Sequence, residues 1–372
     1  MNIQSGLAKK NKPLTKMNPT VFVALSGGVD SAVTAIKMKN RFSSVQGIFL
    51  DFFGKEDYIL QTKEIAKKVG IEIEVINLQK EFKNEVVNYY IRSYQNGLTP
   101  NPCVICNRKI KFKYLLREIK KRGGKFVATG HYAKIKQIDE NYYLYRAKSK
   151  RQDQSYFLWQ LKRQWLGEIL FPLNNLSKKQ VINFARQKGI LEYCQQPSQD
   201  FCFLNQTKNN QSIYAQQFLS FSQWNLFEVE TDRWLGSCQG NFFTLGQRRR
   251  FGLGGGPWYL VKINNQQKKL FLTKDKQKLF IQKLLVYRLN WLIDPPTNFP
   301  ISIQVKIRST ARLISAKIKM VDYDLLEIKL NKSQIVAPPG QSAVFYQKEK
   351  LIGGGIIKNN PSPCPLPRGE GD

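Results

Sequence analysis

The stretch of the chain best suited to chemistry is SGGVDS at positions 26–31. It follows an apolar run of strand character at 21–25 and precedes a stretch with helical spacing at 32–38. Paired glycines let a backbone turn tightly and approach an anion, and the N–H groups that begin a helix favour negative charge. Because the lysine of a GxxxxGK[ST] loop is missing, two serine hydroxyls would serve the phosphates instead. The pattern predicts a phosphate-binding loop, with an ordinary glycine turn as the alternative.

Cysteines are the second candidates for chemistry. Cys103 and Cys106 lie in a proline-stiffened segment at 99–108 that ends where a basic helix is expected to begin, which favours a thiolate at Cys106. Cys202 lies in SQDFCF at 198–203. The spacing of Cys103 and Cys106 is half of a zinc motif, but the chain has no second CxxC and only one histidine. The three cysteines could instead hold an iron–sulfur cluster with one open iron, and this alternative stays open.

Strands and helices alternate along the first third of the chain. Apolar runs predict strands at 45–50, 71–76 and 126–129, and helical spacing predicts helices at 58–69, 82–94 and 109–121. Such alternation is typical of a doubly wound parallel sheet, an α/β fold in which ligands bind at the carboxyl ends of the strands. The 26–31 loop and the TGHY segment at 129–132 both follow strands, so we expect them to meet in one crevice.

The charge balance predicts a polyanionic partner. The chain has 59 Lys and Arg against 27 Asp and Glu, a formal net charge of +32. Nucleic acid is the usual partner of such a surplus, although a lysine-rich proteome would produce the same composition. Basic residues interleaved with aromatic residues at 109–114 and 247–251 favour nucleic acid.

The location of the protein is predicted from what its sequence lacks. No apolar run approaches the length of a membrane span, and the first twenty residues contain no signal-peptide core. Six cysteines in a chain of 372 residues indicate thiol or metal chemistry rather than a disulfide framework. We therefore expect a cytoplasmic protein with no membrane partner.

These motifs together resemble known families. SGGVDS resembles the PP-loop of the ATP pyrophosphatases, which cleave ATP between its α and β phosphates to adenylate a substrate. With TPNPxxxCN, IKF, ATGHYA, DQSYFL, the cysteine of CF, TLGQR, GQSAVFY and GGGII following in order to about residue 358, the chain resembles the tRNA-specific 2-thiouridylases. The resemblance implies a doubly wound parallel-sheet PP-loop domain of the adenine nucleotide alpha hydrolase-like type, then a small central domain and a C-terminal β-barrel.

The resemblance also implies an activity. The family replaces the 2-oxygen of the wobble uridine in tRNAs for Lys, Glu and Gln by sulfur, using ATP with Mg²⁺ and a persulfide from a sulfur carrier or cysteine desulfurase. Adenylation turns a poor leaving group into AMP. Carried over by motif, Cys202 would bear the persulfide, while Cys106 attacks it or assists release and leaves a Cys106–Cys202 disulfide.

Binding residues follow from the same motifs. The ATP site would be lined by Ala24, Leu25, Ser26, Gly27, Gly28, Val29, Asp30, Ser31, Leu50 and Gly130. The target base, flipped out of its stack, would meet Asn101, Pro102 and Cys103. The tRNA would contact His131, Gln152, Asp153, Gln154, Arg308, Ser309 and Gln341.

Three positions depart from the family pattern. Cys103 stands where many members have an aspartate assigned acid/base work, Gln152 where they have a lysine, and Pro197 where they have an acidic residue. The acid/base role and the lysine's role therefore have no obvious bearer in this chain. Cys103 either fills the place of the aspartate beside the base or ligates a cluster, and both alternatives stay open.

Composition and pattern divide the chain into five parts. We expect a flexible basic arm at 1–18, a PP-loop catalytic domain at 19–206, a central domain at 207–280, a tRNA-gripping β-barrel at 281–358 with alternating strands at 301–307, 325–330 and 342–346, and a disordered proline-rich tail at 359–372. The glycine-rich basic turn at 246–258 is expected to meet phosphates or the catalytic crevice.

Two other classes of function compete with this interpretation. Another PP-loop enzyme, such as a lysidine-type tRNA synthetase or a synthetase that adenylates a small acid, would keep the 26–31 loop but would need neither Cys106 nor Cys202. A non-catalytic RNA-binding protein would need neither the cysteines nor an intact loop.

Overall fold

The computed structural model describes residues 19–194, 202–203 and 222–358, and its first part is built on a parallel sheet. The strands in this part are β1 (Val21–Leu25), β2 (Val45–Asp51), β3 (Ile73–Asn77), β4 (Phe126–Ala128), β5 (Ala133–Ile138), β6 (Asn141–Arg146) and β7 (Ile169–Leu170). The parallel strands are hydrogen-bonded in the order β3-β2-β1-β4-β7. The order reverses between β1 and β4, and such a switch point is where α/β sheets bind ligands. The predicted parallel sheet is confirmed.

Helices cover this sheet because they carry apolar residues at helical spacing. The helices are α1 (Val29–Arg41), α2 (Glu56–Val69), α3 (Gln79–Phe82), α4 (Asn88–Gln95), α5 (Pro102–Ile105), α6 (Phe112–Lys121) and α7 (Lys178–Gln187). In α6, for example, Leu115, Leu116 and Ile119 are buried while the opposite face carries lysines and arginine. Helix α2 ends at Gly70, whose φ of 71° is a left-handed conformation that favours glycine.

Two of the helical runs contain a π-helical turn. Residues Lys83–Val87 join α3 to α4, and Cys106–Lys111 join α5 to α6. In a π turn each hydrogen bond spans five residues, so the turn is wider than in an α-helix, and such turns are frequent at functional sites. The helices predicted at 82–94 and 109–121 are therefore the later parts of longer runs, 79–95 and 102–121.

The hairpin of β5 and β6 was not predicted. Its strands are antiparallel, and β6 meets the C-terminal β-sheet where Tyr145 pairs with Lys350. This hairpin lies at one edge of that sheet although its strand β6 and the paired strand β17 are far apart in the chain. The first part of the protein is thus joined to the C-terminal part by a shared sheet as well as by the chain.

The central part contains a small separate sheet. Its strands are β8 (Ser222–Glu228), β9 (Trp234–Gly240), β10 (Tyr259–Asn264) and β11 (Lys269–Thr273), in the order β10-β11-β8-β9. Trp224, Leu226, Leu260 and Leu272 are buried together in its core. Short strands were predicted for this region, and they are present in its described residues; 207–221 lie outside the described residues.

The C-terminal part is a closed β-barrel. It is formed by β12 (Phe280–Trp291), β13 (Ile301–Lys306), β14 (Ile314–Asp322), β15 (Leu325–Ile335), β16 (Ser342–Gln347) and β17 (Lys350–Ile357). The strand order β12-β15-β14-β13-β16-β17 closes through a pairing of β12 with β17, which removes the exposed edges. Alternate residues such as Leu326, Ile328 and Leu330 point into its core. The predicted barrel is confirmed.

The barrel packs on the loop that precedes α5. Nε2 of Gln341 donates to the carbonyl oxygens of Thr99 and Pro100, both at 3.1 Å, and the N–H of Thr99 donates to the carbonyl of Pro339 at 2.8 Å. Gly340 has a φ of 89°, and a Cβ there would lie 3.0 Å from Cβ of Leu98. The barrel loop and the 99–101 segment therefore fit backbone to backbone.

Several predicted features fall on other parts of the chain. The arm at 1–18, the tail at 359–372 and Pro197 lie outside the described residues. Within the described ranges, no helix has both the length and the apolar character that crossing a bilayer requires.

A glycine between α6 and β4 makes the first testable prediction. A Cβ on Gly124 would overlap the ring of Phe22, which is 1% exposed in the core, and would lie 3.2 Å from Cβ of Ile119. We expect Gly124→Ala to lower the free energy of unfolding by about 1–3 kcal/mol in urea titrations, because the core must shift. Gly254→Ala is the control, since nothing lies within 4 Å of its added Cβ. Equal stability of the two variants would contradict this account.

Candidate active site

The 26–31 loop joins β1 to α1 at the carboxyl end of the parallel sheet. Gly27 has a φ of 77°, a conformation that favours glycine. The hydroxyl of Ser31 donates to the carbonyl of Gly28 at 2.8 Å and accepts from the N–H of Ser26 at 3.1 Å. These bonds hold the loop against the first turn of a helix of 13 residues, whose N–H groups favour an anion.

The other residues predicted for the ATP site surround this loop. A Cβ on Gly130 would lie 2.9 Å from the carbonyl carbon of Asp30, so the segment after β4 touches the loop directly. Ala24 and Leu25 end β1, and Leu50 lies near the end of the adjacent strand β2. The structure therefore brings the predicted residues from three strand ends to one edge of the sheet.

Asp30 is held by two side chains that the sequence analysis missed. Nζ of Lys178 donates to the two carboxylate oxygens at 2.7 and 2.6 Å, and the hydroxyl of Tyr132 donates to Oδ1 at 2.7 Å. Burial, followed by the charge of Asp30, raises the pKa of Tyr132, so its proton stays in this bond. The hydroxyl of Ser177 caps α7 and fixes the start of the helix from which Lys178 extends.

A cavity of about 170 Å³ contains the three candidate cysteines. Its lining includes residues predicted for the target base, the tRNA and sulfur transfer, namely Pro102, Cys103, Cys106, His131, Gln154 and Cys202. It also includes residues that were not predicted, among them Phe82, Asn107, Lys111 and Phe157. Cys202 is exposed, Cys103 is half-buried and Cys106 is buried. Residue Cys202 therefore reaches solvent whereas Cys106 is enclosed, although burial also raises the pKa of the Cys202 thiol.

Burial makes the enclosed thiols weak acids. It raises the pKa of Cys103 to about 11 and that of Cys106 to about 12, while the charge of Lys111 acts in the opposite direction. Cys106 lies inside the helical run that begins at Pro102 rather than at its first residue. The thiolate predicted for Cys106 is therefore wrong for this state of the protein, since desolvation outweighs the helix terminus.

His131 and Lys111 complete the charge pattern of the cavity. Burial alone lowers the pKa of Lys111, but the nearby thiols Cys106, Cys202 and Cys103 raise it overall, so it stays protonated. Burial, and then the charge of Lys111, lowers the pKa of His131 to about 3. Nδ1 of His131 lies 2.8 Å from the hydroxyl of Thr129. The imidazole is neutral at physiological pH and offers hydrogen bonds rather than charge.

The residues predicted to contact tRNA have different surroundings. The side chain of Asp153 is 0% exposed and accepts bonds from Arg146, Ser155 and the N–H of Ala147. Its place is internal, where it shapes the segment that carries Gln152 and Gln154. Gln152 is half-buried. The side-chain oxygen of Gln154 accepts from the N–H of Tyr132, and the N–H of Gln154 donates to the carbonyl of Tyr132.

Two further predicted tRNA contacts lie on the barrel and face the central part. Arg308 is half-buried, donates to the carbonyl of Val336 and lies 3.9 Å from the site of a Cβ on Gly246. Its Nε has no hydrogen-bond partner within the described ranges. Ser309 is half-buried beside it, whereas Gln341 already bonds the 99–100 backbone. Asn101, predicted to meet the base, is 6% exposed.

The glycine-rich basic turn forms a second cavity, of about 290 Å³. It is lined by Arg248, Arg249, Arg250, Phe251, Gly252, Leu253, Gly256, Pro257 and Trp258. Three adjacent guanidinium groups at a surface cavity suit a polyphosphate backbone.

A metal centre was also considered for the cysteines. In the part of the chain that the structure describes, no group of three or more His, Cys, Asp or Glu side chains is arranged to hold a metal ion. The groups that the described lining of this cavity supplies for chemistry are therefore the cysteine thiols and the ammonium group of Lys111.

The lone histidine of the chain provides a direct test of this cavity. Because its pKa falls from an unfolded value of about 6.5 to about 3, we expect the imidazole NMR signals to stay constant between about pH 8 and pH 5. Protonation then favours the unfolded state, so stability is lost as pH falls below about 6.5. His131→Gln should remove that part of the pH dependence. A titration midpoint near pH 6.5 in the folded protein would refute the burial.

Comparison with known proteins identifies the family. A family model for a tRNA methyl transferase HUP domain matches residues 19–206, and one for an aminomethyltransferase beta-barrel domain matches 281–357. The tRNA-specific 2-thiouridylase MnmA of Buchnera aphidicola subsp. Schizaphis graminum is 32% identical over 368 residues, covering 93% of this chain and 99% of that protein. The corresponding protein of Syntrophotalea carbinolica is 32% identical over 354 residues, covering 92% and 100%.

Solved structures match more remotely. A 4-thiouridine synthetase in a complex with RNA and bound ATP covers 50% of this chain and 44% of its own, with a TM-score of 0.34 and 18% identity. That similarity is too distant to carry an argument, whereas the curated relatives match nearly end to end. The chain belongs to the tRNA-specific 2-thiouridylase family.

Proposed function

We propose that the protein is a tRNA 2-thiouridylase, a sulfurtransferase that adenylates the 2-oxygen of a wobble uridine and then replaces that oxygen by persulfide sulfur. The observation that carries the proposal is the cavity in which exposed Cys202 and buried Cys106 meet. Gly130 touches the nucleotide loop while the adjacent His131 lines this cavity, so the two sites are contiguous.

ATP is the first substrate, and the 26–31 loop suits its phosphates. Asp30 offers the carboxylate oxygens that Mg²⁺ prefers. The ammonium group of Lys178 now lies on that carboxylate. If Asp30 held Mg²⁺, the ammonium group of Lys178 would be available to neutralise a phosphate. The expected products of this half-reaction are the adenylated uridine and pyrophosphate.

Sulfur transfer then takes place in the cysteine cavity. The outer sulfur of a Cys202 persulfide attacks C2 of the uridine, a C–S bond forms, and the C–O bond breaks with AMP as the leaving group. The thiolate of Cys106 next attacks Sγ of Cys202. The S–S bond of the mixed disulfide breaks, and its electron pair stays on the sulfur that is now the 2-thio group. Two cysteines are oxidised to a Cys106–Cys202 disulfide, which a cellular thiol reductant must reduce before another cycle.

The different exposure of the two thiols supports this division of roles. A sulfur carrier or cysteine desulfurase must reach the thiol that it loads, and Cys202 is the exposed one. Cys106 is 6% exposed and protonated, so it is protected from loading and reacts after the persulfide and base are in place. Burial thereby orders the steps.

The tRNA is the second substrate, and the charge of +32 supports that assignment. Tight packing of the barrel loop on 99–101 would hold Asn101, Pro102 and Cys103 beside the flipped base. Gln152, Arg308 and Ser309 remain candidates for tRNA contact, with the Arg248–Arg250 turn as an added one. Wobble-uridine tRNAs for Lys, Glu and Gln are the substrates that family membership favours.

Cysteine variants test the sulfur cycle. With ATP, tRNA and a persulfide donor, we expect Cys106→Ser and Cys202→Ser each to abolish 2-thiouridine, because a hydroxyl can neither carry nor resolve a persulfide. Cys103→Ser should retain partial activity, since Cys103 fills the place of an aspartate. Cys238→Ser is the matched control, as that half-buried thiol lies in the central sheet. Equal inactivity of the Cys103, Cys106 and Cys202 variants, with stoichiometric iron in the wild type, would overturn the assignment in favour of a cluster.

A loop variant tests the adenylation step. Asp30→Asn keeps the size of the side chain but removes the charge that would bind Mg²⁺, so we expect AMP formation to be abolished. Binding of tRNA, measured by filter retention at fixed salt, should be unchanged, because the loop serves ATP and the basic surfaces serve RNA. The proposal fails if this variant releases AMP normally and loses tRNA instead.

A further inference from the structure

One positively charged side chain reaches the cysteine cavity from an unexpected position. Among the described residues that line the cavity, Lys111 is the only cation, and it is half-buried there with Cys103, Cys106 and Cys202. We propose that Lys111 supplies the positive charge that stabilises anionic sulfur during the transfer, first on the persulfide of Cys202 and then on Cys106. The inference rests on the proposed thiolation.

The π-helical turn explains how Lys111 comes to face the cysteines. In an α-helix, residues five apart point about 140° away from each other. Cys106 and Lys111 are five apart, but they are the first and last residues of the π turn Cys106–Lys111, in which hydrogen bonds connect residues at that separation. The N–H of Phe112 bonds the carbonyl of Asn107 in this pattern. The wider turn places Lys111 and Cys106 on the same cavity.

The composition of the cavity leaves this charge available to sulfur. Within the described lining there is no carboxylate, since a cysteine occupies position 103. No hydrogen bond or ion pair joins Lys111 to another described residue, whereas its neighbour Lys109 is paired with Glu85 at 2.6 Å. Because Lys111 lies beside the three thiols and His131, its charge acts on all four groups. The thiols raise the pKa of Lys111, and Lys111 lowers the pKa of His131. A half-buried ammonium without a carboxylate partner is costly unless it meets an anion.

The reaction produces such anions in sequence. Negative charge lies on the outer persulfide sulfur before it attacks C2, and it lies on Sγ of Cys106 before that atom attacks Cys202. Each anion forms where burial alone disfavours it, because burial raises the pKa of both the Cys202 and the Cys106 thiol, while the charge of Lys111 acts in the opposite direction. One fixed cation beside both sulfurs lowers the cost of each step without moving between them.

Thiol alkylation tests the charge without ATP or tRNA. Wild type and Lys111→Met are treated with iodoacetamide from about pH 6 to pH 10, and modification of Cys202 is followed by peptide mass spectrometry. We expect the profile of the variant to move up by about one pH unit, which is a roughly tenfold slower reaction near neutral pH. Lys111→Arg should restore the wild-type profile. Lys113→Met, which removes an exposed charge two residues away, is the control and should leave the profile unchanged.

The same alkylation profile can also overturn the proposal. An unchanged profile in Lys111→Met, with a wild-type melting curve, would exclude the electrostatic role. If Lys111→Met does not fold, Lys111→Gln takes its place in the same comparison, since Gln keeps a polar end in the cavity.

A second measurement separates this role from a structural one. In the full reaction, Lys111→Met should still release pyrophosphate, the product of adenylation, but it should form roughly tenfold less 2-thiouridine per pyrophosphate than wild type. Parallel loss of both products would indicate a structural defect and would count against the proposal. Failure of the wild type itself to thiolate tRNA would refute the proposed function, while the alkylation result would still decide the charge of Lys111.

Discussion

A loop of the barrel packs backbone to backbone against the loop before α5, and this contact fixes where the cysteine segment begins. Gln341 and Pro339 bond the 99–100 backbone, and Gly340 lets the two loops approach closely. The loop leads directly into Pro102 and the run that carries Cys103, Cys106 and Lys111. Farther along, Arg108 donates to the carbonyl of Gln160 and to Asn290 of the barrel, so both ends of the cysteine segment are fixed by the barrel. The barrel thus positions the segment that carries the candidate cysteines.

Burial sets the reactivity of the site as much as residue identity does. Cys106 and Cys202 are chemically identical, yet residue Cys106 is buried and residue Cys202 is exposed; burial raises the pKa of both thiols, that of Cys106 to about 12. Desolvation disfavours negative charge on sulfur, and the ammonium group of Lys111 beside the thiols partly offsets that effect. The proposed resolving thiol, Cys106, thus lies in a cavity that keeps it protonated. The imidazole of His131 is neutral for the same reason, since burial and the charge of Lys111 both disfavour a second cation in the cavity.

At the nucleotide loop, each charged side chain has a partner of opposite charge. Asp30 has its own cation, Lys178, and its own hydroxyl donor, Tyr132, in the loop proposed to bind the phosphates of ATP. Pairing keeps a carboxylate and an ammonium at the loop without leaving either one uncompensated. Both sites therefore hold a lysine whose proposed partner changes during the reaction, and Gly130-His131 connects them over a short distance.

The SGGVDS loop, the parallel sheet, the barrel and the candidate cysteines could all be predicted from the chain, because periodicity and turn chemistry are local properties. The side chains that surround them come from distant segments and could not. Lys178 is 148 residues from Asp30, and no pattern in the chain joins them. The β5–β6 hairpin pairs with β17 across two hundred residues, and ordinary helical spacing would turn Lys111 away from Cys106. The predicted thiolate at Cys106 failed for the same reason: desolvation depends on neighbours from distant segments, and it outweighs the helix terminus that can be read locally.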